Sequence, residues 1–192
     1  MIRSNILQKA IAAIISCKDN KETSLNNSEI TKAEVTASSY SHEVFVDGLD
    51  IPWGFTFMPD NSMLITEKSG ELIHFKNGVK TSIKGLPKSK VQGQGGFLDI
   101  ELHPDYNNNG WIYFTYASGN SNGANTTLMR ARINNDRLIN QEILYKATPN
   151  TRRGQHFGSR IAFDKEGYLY FSIGDRGNRD VNPQDITKDG GK

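Results

Sequence analysis

From Val44 onward, apolar residues come in short alternating runs interrupted by Gly, Pro, Asn and Asp. Alternation with a period of two sends every second side chain to one face, as in a strand, and the interrupting residues are turn formers. The runs predict ten strands, at 42–46, 54–57, 63–67, 72–76, 96–102, 111–117, 127–133, 143–147, 159–163 and 169–173. No stretch after residue 42 repeats its apolar positions at the three-and-four spacing of a helix. The pattern therefore predicts an all-β fold.

One unit recurs. Phe57 ends a strand before Pro59-Asp60-Asn61 and Met63 starts the next; Leu102 ends a strand before Pro104-Asp105 and Trp111 starts the next. In a third copy Phe163 precedes the turn Asp164-Lys165-Glu166-Gly167, and Tyr168 follows it. Each copy is a hairpin, and the anchors Phe57, Leu102 and Phe163 lie 45 and 61 residues apart, near the spacing of propeller blades that carry loop insertions. A β-sandwich with look-alike hairpins is the alternative. A propeller closes with roughly four to eight four-stranded blades, and these residues supply about the first three. The chain by itself is thus expected to leave the ring open and to be inactive, with its polar ending 185–192 standing where another strand is due.

The first 41 residues differ in texture. Arg3 and Lys9 precede a short apolar run, Ala10 to Ile15, which ends at Ser16-Cys17. This resembles a bacterial lipoprotein signal, in which the cysteine is lipidated and becomes the new N-terminus; an amphipathic N-terminal helix with an incidental cysteine is the other reading. The run is too short to span a bilayer. Residues 18–41 are polar and aromatic-poor, as a solvated tether is. The organisation read from the chain is a signal peptide at 1–16, a tether at 17–41 and a β domain at 42–192. Cys17 is the only cysteine, so no disulfide framework exists within the chain. The net charge is +2 with both signs interspersed, which offers no basic track for nucleic acid.

Three Gly-rich segments carry polar side chains at strand ends: 92–98, 154–160 and 172–178. Loops of this kind ring the channel mouth of a propeller, where glycine permits close approach to a flat ligand. His156 lies in the second, and the hairpin built from 159–163 and 169–173 brings Asp175 to the same end. A neutral-pH base needs an orienting partner on the ring nitrogen it does not use, so the pair reads either as base and orienter or as a structural histidine bonded to backbone. His42, His74 and His103 read as surface or packing residues. Arg160 reads as an ion-pair partner within its own hairpin, and Arg176 and Arg179 as solvated loop charges. Asp105 to Gly110 imitates the start of an EF-hand loop, but Tyr116 stands where the bidentate Glu is required, so a hairpin turn is expected there. The sequence holds no dinucleotide fingerprint, Walker loop or His/Cys zinc set.

At these same segments the chain resembles the soluble aldose sugar dehydrogenases of the glucose/sorbosone dehydrogenase family, six-bladed propellers that use pyrroloquinoline quinone (PQQ). The resemblance runs from about Gly48 to Asp185 and rests on Gly48-Leu49-Asp50-Ile51-Pro52-Trp53-Gly54, Gly93-Gln94-Gly95-Gly96-Phe97-Leu98-Asp99, His103-Pro104-Asp105-Tyr106, Gln155-His156-Phe157-Gly158-Ser159-Arg160 and Ile173-Gly174-Asp175. It implies that His156 is the general base for the sugar's anomeric hydroxyl, that Asp175 supports its imidazole, and that Gln94 lies near cofactor and substrate. It also implies a Ca²⁺ bound to the quinone and cationic clamps on its carboxylates, both expected beyond Lys192. The function so implied is oxidation of an aldose at C1 to a lactone, with electrons passed to an external acceptor. The enzyme would be periplasmic or at the cell surface, touching the membrane through its lipid anchor only. A non-catalytic secreted propeller that binds a glycan or protein, and a metal-dependent lactonase, are the competing readings. Mass spectrometry of the mature protein is expected to find an acylated Cys17 as the first residue; an unmodified Cys17, or a mature start upstream of it, would overturn the anchor.

Overall fold

The computed structural model describes residues 41–192; the leader and Cys17 lie outside them. Strands β1 (Pro52–Phe57), β2 (Met63–Glu67), β3 (Glu71–Lys76) and β4 (Val79–Ser82) form one antiparallel meander. A second meander is built from β5 (Phe97–Leu102), β6 (Ile112–Asn120), β7 (Gly123–Asn134) and β8 (Arg137–Lys146). Strands β9 (Gly158–Phe163) and β10 (Leu169–Ile173) add a hairpin. The repeated unit of the sequence opens each of the three: Phe57 pairs with Met63, Leu102 with Ile112 and Phe163 with Leu169. What the sequence presents as about three blades is, among the described residues, two four-stranded sheets and a two-stranded hairpin.

The sheets stack face to face, β5 against β1 and β2, and β9 against β5 and β6. Burial on both faces explains why β2 and β6 read as largely apolar runs: sheets stack on both sides of β6, whereas β2 meets the second sheet on one face and Val46 and Leu49 on the other. On one face of β6, Ile112, Phe114 and Tyr116 join Leu64, Leu72 and Phe97 in the core between the two sheets, with the Phe97 and Phe114 rings stacked at 5.4 Å. Its opposite face turns Tyr113 toward Ile161, Phe163 and Leu169 of the hairpin.

Two strand expectations need correction. Residues 42–46 form no strand; Phe45 instead packs edge-on against Phe57 and Phe75, at 6.2 and 6.0 Å, over the outer face of the first sheet. Strand β4 escapes the apolar pattern because it is an edge strand with an exposed Val-Lys-Thr-Ser sequence. Its signal is the preceding Asn77-Gly78, whose φ values of 50° and 79° make the two-residue turn that returns β3 onto β4. The EF-hand imitation is a single helical turn, α1 (Tyr106–Asn109), closed by left-handed Gly110.

Polar bonds fix the inner strands to one another. The Thr66 hydroxyl of β2 donates to the Leu98 carbonyl of β5, and the Thr115 hydroxyl of β6 donates to Ser159 O of β9 at 3.0 Å. Asp99 of β5, 3% exposed, accepts the Ile161 N–H at 2.7 Å and pairs with Arg160 at 2.9 Å. Arg160 therefore pairs across to the neighbouring sheet and not within its own hairpin, because Asp99 is the acid that its strand faces. The Arg160 side chain is 78% exposed and that of Asp99 only 4%, so the two ends of this ion pair differ in worth. Asp99→Ala leaves a buried N–H unpaired and is expected to lower the urea-unfolding free energy by about 1–3 kcal/mol. Arg160→Gln, which removes a largely solvated charge, should cost under about 1 kcal/mol; equal losses would contradict this division.

Candidate active site

The three Gly-rich segments meet at the end of the stack where β5 begins and β9 and β10 emerge. The segment before β5 approaches the one before β9 closely enough for Gln94 N–H to donate to Gly154 O at 2.6 Å. Gly93 makes this approach possible: its φ is +60°, and a Cβ there would stand 2.1 Å from Gly154 O. On the other side Gly174, just past β10, lies against the His156 peptide, where a Cβ would meet the His156 carbonyl oxygen at 2.1 Å. The glycines thus bring three backbone segments within contact of one histidine.

His156 Nδ1 lies 2.7 Å from Asp175 Oδ1, which joins the two residues that the hairpin topology brings to one end. Since a carboxylate only accepts, the neutral ring carries its proton on Nδ1 and a lone pair on Nε2. Nε2 has no hydrogen-bond partner among the described residues, and the His156 side chain is 49% exposed. Asp175 is further held by the Gly177 N–H, at 2.6 Å, on the same oxygen. The bond from His156, and after it that from Gly177, holds the Asp175 carboxyl below its ordinary value of 3.8, so it is an anion at neutral pH. Gln94 joins the pair through its side-chain carbonyl, which accepts the His156 backbone N–H at 2.7 Å. That bond fixes which end of the amide faces the histidine and leaves the Gln94 NH₂ free to donate elsewhere.

The cleft beside the histidine is lined by Arg153, Gln155, Asn178, Arg179 and Asp180 together with His156 and Asp175. Arg179 fits its reading as a solvated charge, lying 3.8 Å from exposed Asp180. Arg176 does not. It is 1% exposed, its guanidinium carbon sits 3.4 Å from the Phe157 ring centroid, and burial draws its pKa down to about 10, which still leaves it charged at neutral pH. No apolar period marks such a residue in the sequence, because what surrounds it is backbone carbonyl. His74 and His103 are engaged in turns, His74 with Ser62 Oγ at 2.9 Å and His103 with the Asp105 N–H at 2.9 Å. Among the described residues, no group of three or more His, Cys, Asp or Glu side chains is arranged to hold a metal ion. Cys17 lies outside the described residues.

The sequence profile of the Glucose / Sorbosone dehydrogenase family matches residues 49–192. Aldose sugar dehydrogenase YliI of Escherichia coli is 36% identical over 156 residues, which cover 78% of this chain and 42% of that protein. The chain therefore spans less than half the length of this relative. A crystal structure of glucose dehydrogenase superposes with a TM-score of 0.72 at 33% identity, covering 77% of this chain and 44% of that one. The PQQ-bound aldose sugar dehydrogenase of Streptomyces coelicolor superposes with a TM-score of 0.67 at 27% identity, over 76% and 44% of the two chains. The two sheets and the hairpin correspond to blades of these β-propellers, and the chain belongs to the glucose/sorbosone dehydrogenase family.

Proposed function

We propose that the protein oxidises aldose sugars at C1 to lactones with PQQ as cofactor, and that this chain carries the proton-accepting part of the site. The observation that carries the reading is the 2.7 Å contact of His156 Nδ1 with Asp175, which leaves Nε2 open to the cleft. PQQ supplies, when bound, the two-electron acceptor for the hydride that leaves C1. The residues present suit such a planar tricarboxylate: Arg153 and Arg179 line the same cleft as His156, and Gln94 is bonded to the His156 backbone. These residues would hold it. The described residues offer no carboxylate set for Ca²⁺.

His156 Nε2 takes the proton of the anomeric hydroxyl as the C1–O1 bond becomes a carbonyl. The imidazole gains a positive charge in that step, and the Asp175 carboxylate, already ionised, stabilises it while holding the ring in the tautomer that leaves Nε2 basic. Gln94 keeps the His156 backbone in place through the 2.7 Å bond to its N–H. The family, the quinone-bound structural relative and the geometry all support this reading; the leader ending at Cys17 supports a lipid-anchored enzyme in the periplasm or at the cell surface, passing electrons to an external acceptor.

In the PQQ-loaded protein, His156→Ala is expected to reduce dye-linked aldose oxidation by about 10² or more while quinone binding persists; near-normal turnover would remove His156 from this role. A pH test addresses its partner. The Asp175 carboxyl, followed by ¹³C NMR, should titrate below 3.8 in the wild type and move up in His156→Ala. Since its folded value is the depressed one, the pair stabilises the folded chain above the ordinary carboxylate range, and that contribution is lost as pH falls toward the folded value. The stability gap between wild type and His156→Ala should accordingly narrow in acid, and a gap that widens there would contradict the assignment.

A further inference from the structure

His156 sits in the left-handed region, with φ of 52°, which is uncommon for a non-glycine residue even though histidine is among the side chains enriched there. A group that holds the backbone there is identifiable. Arg176 Nη1 donates to the carbonyl of Gln155, immediately before the histidine. Nη2 donates to Arg153 O at 2.8 Å, to Ala124 O at 3.2 Å and to the Thr151 hydroxyl at 3.3 Å. The backbone N–H of Arg176 points at His156 O from 3.3 Å. Among the described residues, Arg176 Nε is the buried side-chain nitrogen left without a partner. One donor is forgone so that a planar guanidinium can lie on the Phe157 ring and reach four acceptors at once, a task that the three tetrahedral donors of a lysine cannot perform.

We propose that Arg176 is a positioning residue for the base: its guanidinium, clamped between the Phe157 ring and the carbonyls of Arg153 and Gln155, sets the backbone from which His156 reaches Asp175. The inference rests on the reading of His156 as the base. It adds to it a residue that never touches substrate and acts through the 153–156 segment. Arg176 follows Asp175 directly, so one short stretch supplies both the carboxylate that orients the imidazole and the cation that orients the backbone beneath it. Neither could shift without the other. A ring displaced by about 1 Å from the proton it must take costs on the order of 10² in rate.

The experiment uses the PQQ-loaded full-length protein labelled with ¹⁵N-histidine, in wild type and with Arg176→Met, Arg176→Lys and the milder Thr151→Val, which removes one acceptor of the clamp. In folded Arg176→Met the Nδ1–H tautomer signature of His156 should be lost, and kcat should fall at least about 10-fold while KM stays within about twofold. Arg176→Lys should recover melting temperature without restoring either readout. Thr151→Val should move both in the same direction by less, and it decides the matter where the Arg176 variants do not fold. An unchanged His156 signature together with wild-type kcat in the folded variants would overturn the proposal and leave Arg176 a stabilising residue only. Failure of the underlying functional reading looks different: His156→Ala would retain turnover, while the tautomer signature would still report whether Arg176 holds the ring.

Discussion

Separate sheets stacked face to face slide easily on apolar contacts alone, since the hydrophobic effect has no direction. In this protein sliding is stopped by hydrogen bonds between inner strands, and the bond with most depending on it is that from the Ile161 N–H to the Asp99 carboxylate. Ile161 belongs to the strand that begins two residues after His156, and Asp99 to the strand that begins three residues after Gln94. Holding Asp99 and Ile161 in register therefore also holds the loops ahead of them in register. The Gln94 carbonyl can meet the His156 N–H at 2.7 Å because the strands behind both residues are already locked.

The site is thus a product of three backbone segments more than of three side chains. Glycines 93 and 174 let main chain touch main chain, and the histidine is then held by its own peptide at both ends: its N–H by Gln94, its carbonyl facing the Arg176 N–H. The imidazole and its Asp175 partner extend from that frame into the cleft. Preorganisation of this kind would limit reorganisation in the proposed proton transfer, because the groups that must be in place are there before a ligand arrives.

The hairpins were legible in the sequence because each combines a period-two apolar run with an acidic or glycine turn, and stacking preserved that local logic. The pairing of His156 with Asp175 was legible for the same reason, as a hairpin necessarily returns the chain to its starting end. Strand β4 was hidden because both faces of this edge strand are largely exposed, which leaves no apolar period, although Asn77-Gly78 announced its turn. The 42–46 run misled in the opposite sense: its apolar residues cover a sheet face from a bend and never enter the ladder. Arg176 and the cross-sheet partner of Arg160 were not legible at all, since what decides them is which carbonyls and carboxylates a neighbouring sheet presents.

The left-handed backbone at residue 156 also limits what evolution or design can place there. Glycine enters that region freely, and asparagine, aspartate and histidine are the side chains enriched in it, whereas β-branched and bulky residues are strongly disfavoured. Among residues that commonly serve as bases near neutral pH, the φ of 52° admits histidine readily and disfavours lysine and glutamate. The identity of the proposed proton acceptor would in this sense be chosen twice, once by its chemistry and once by the torsion angle of the chain that bears it.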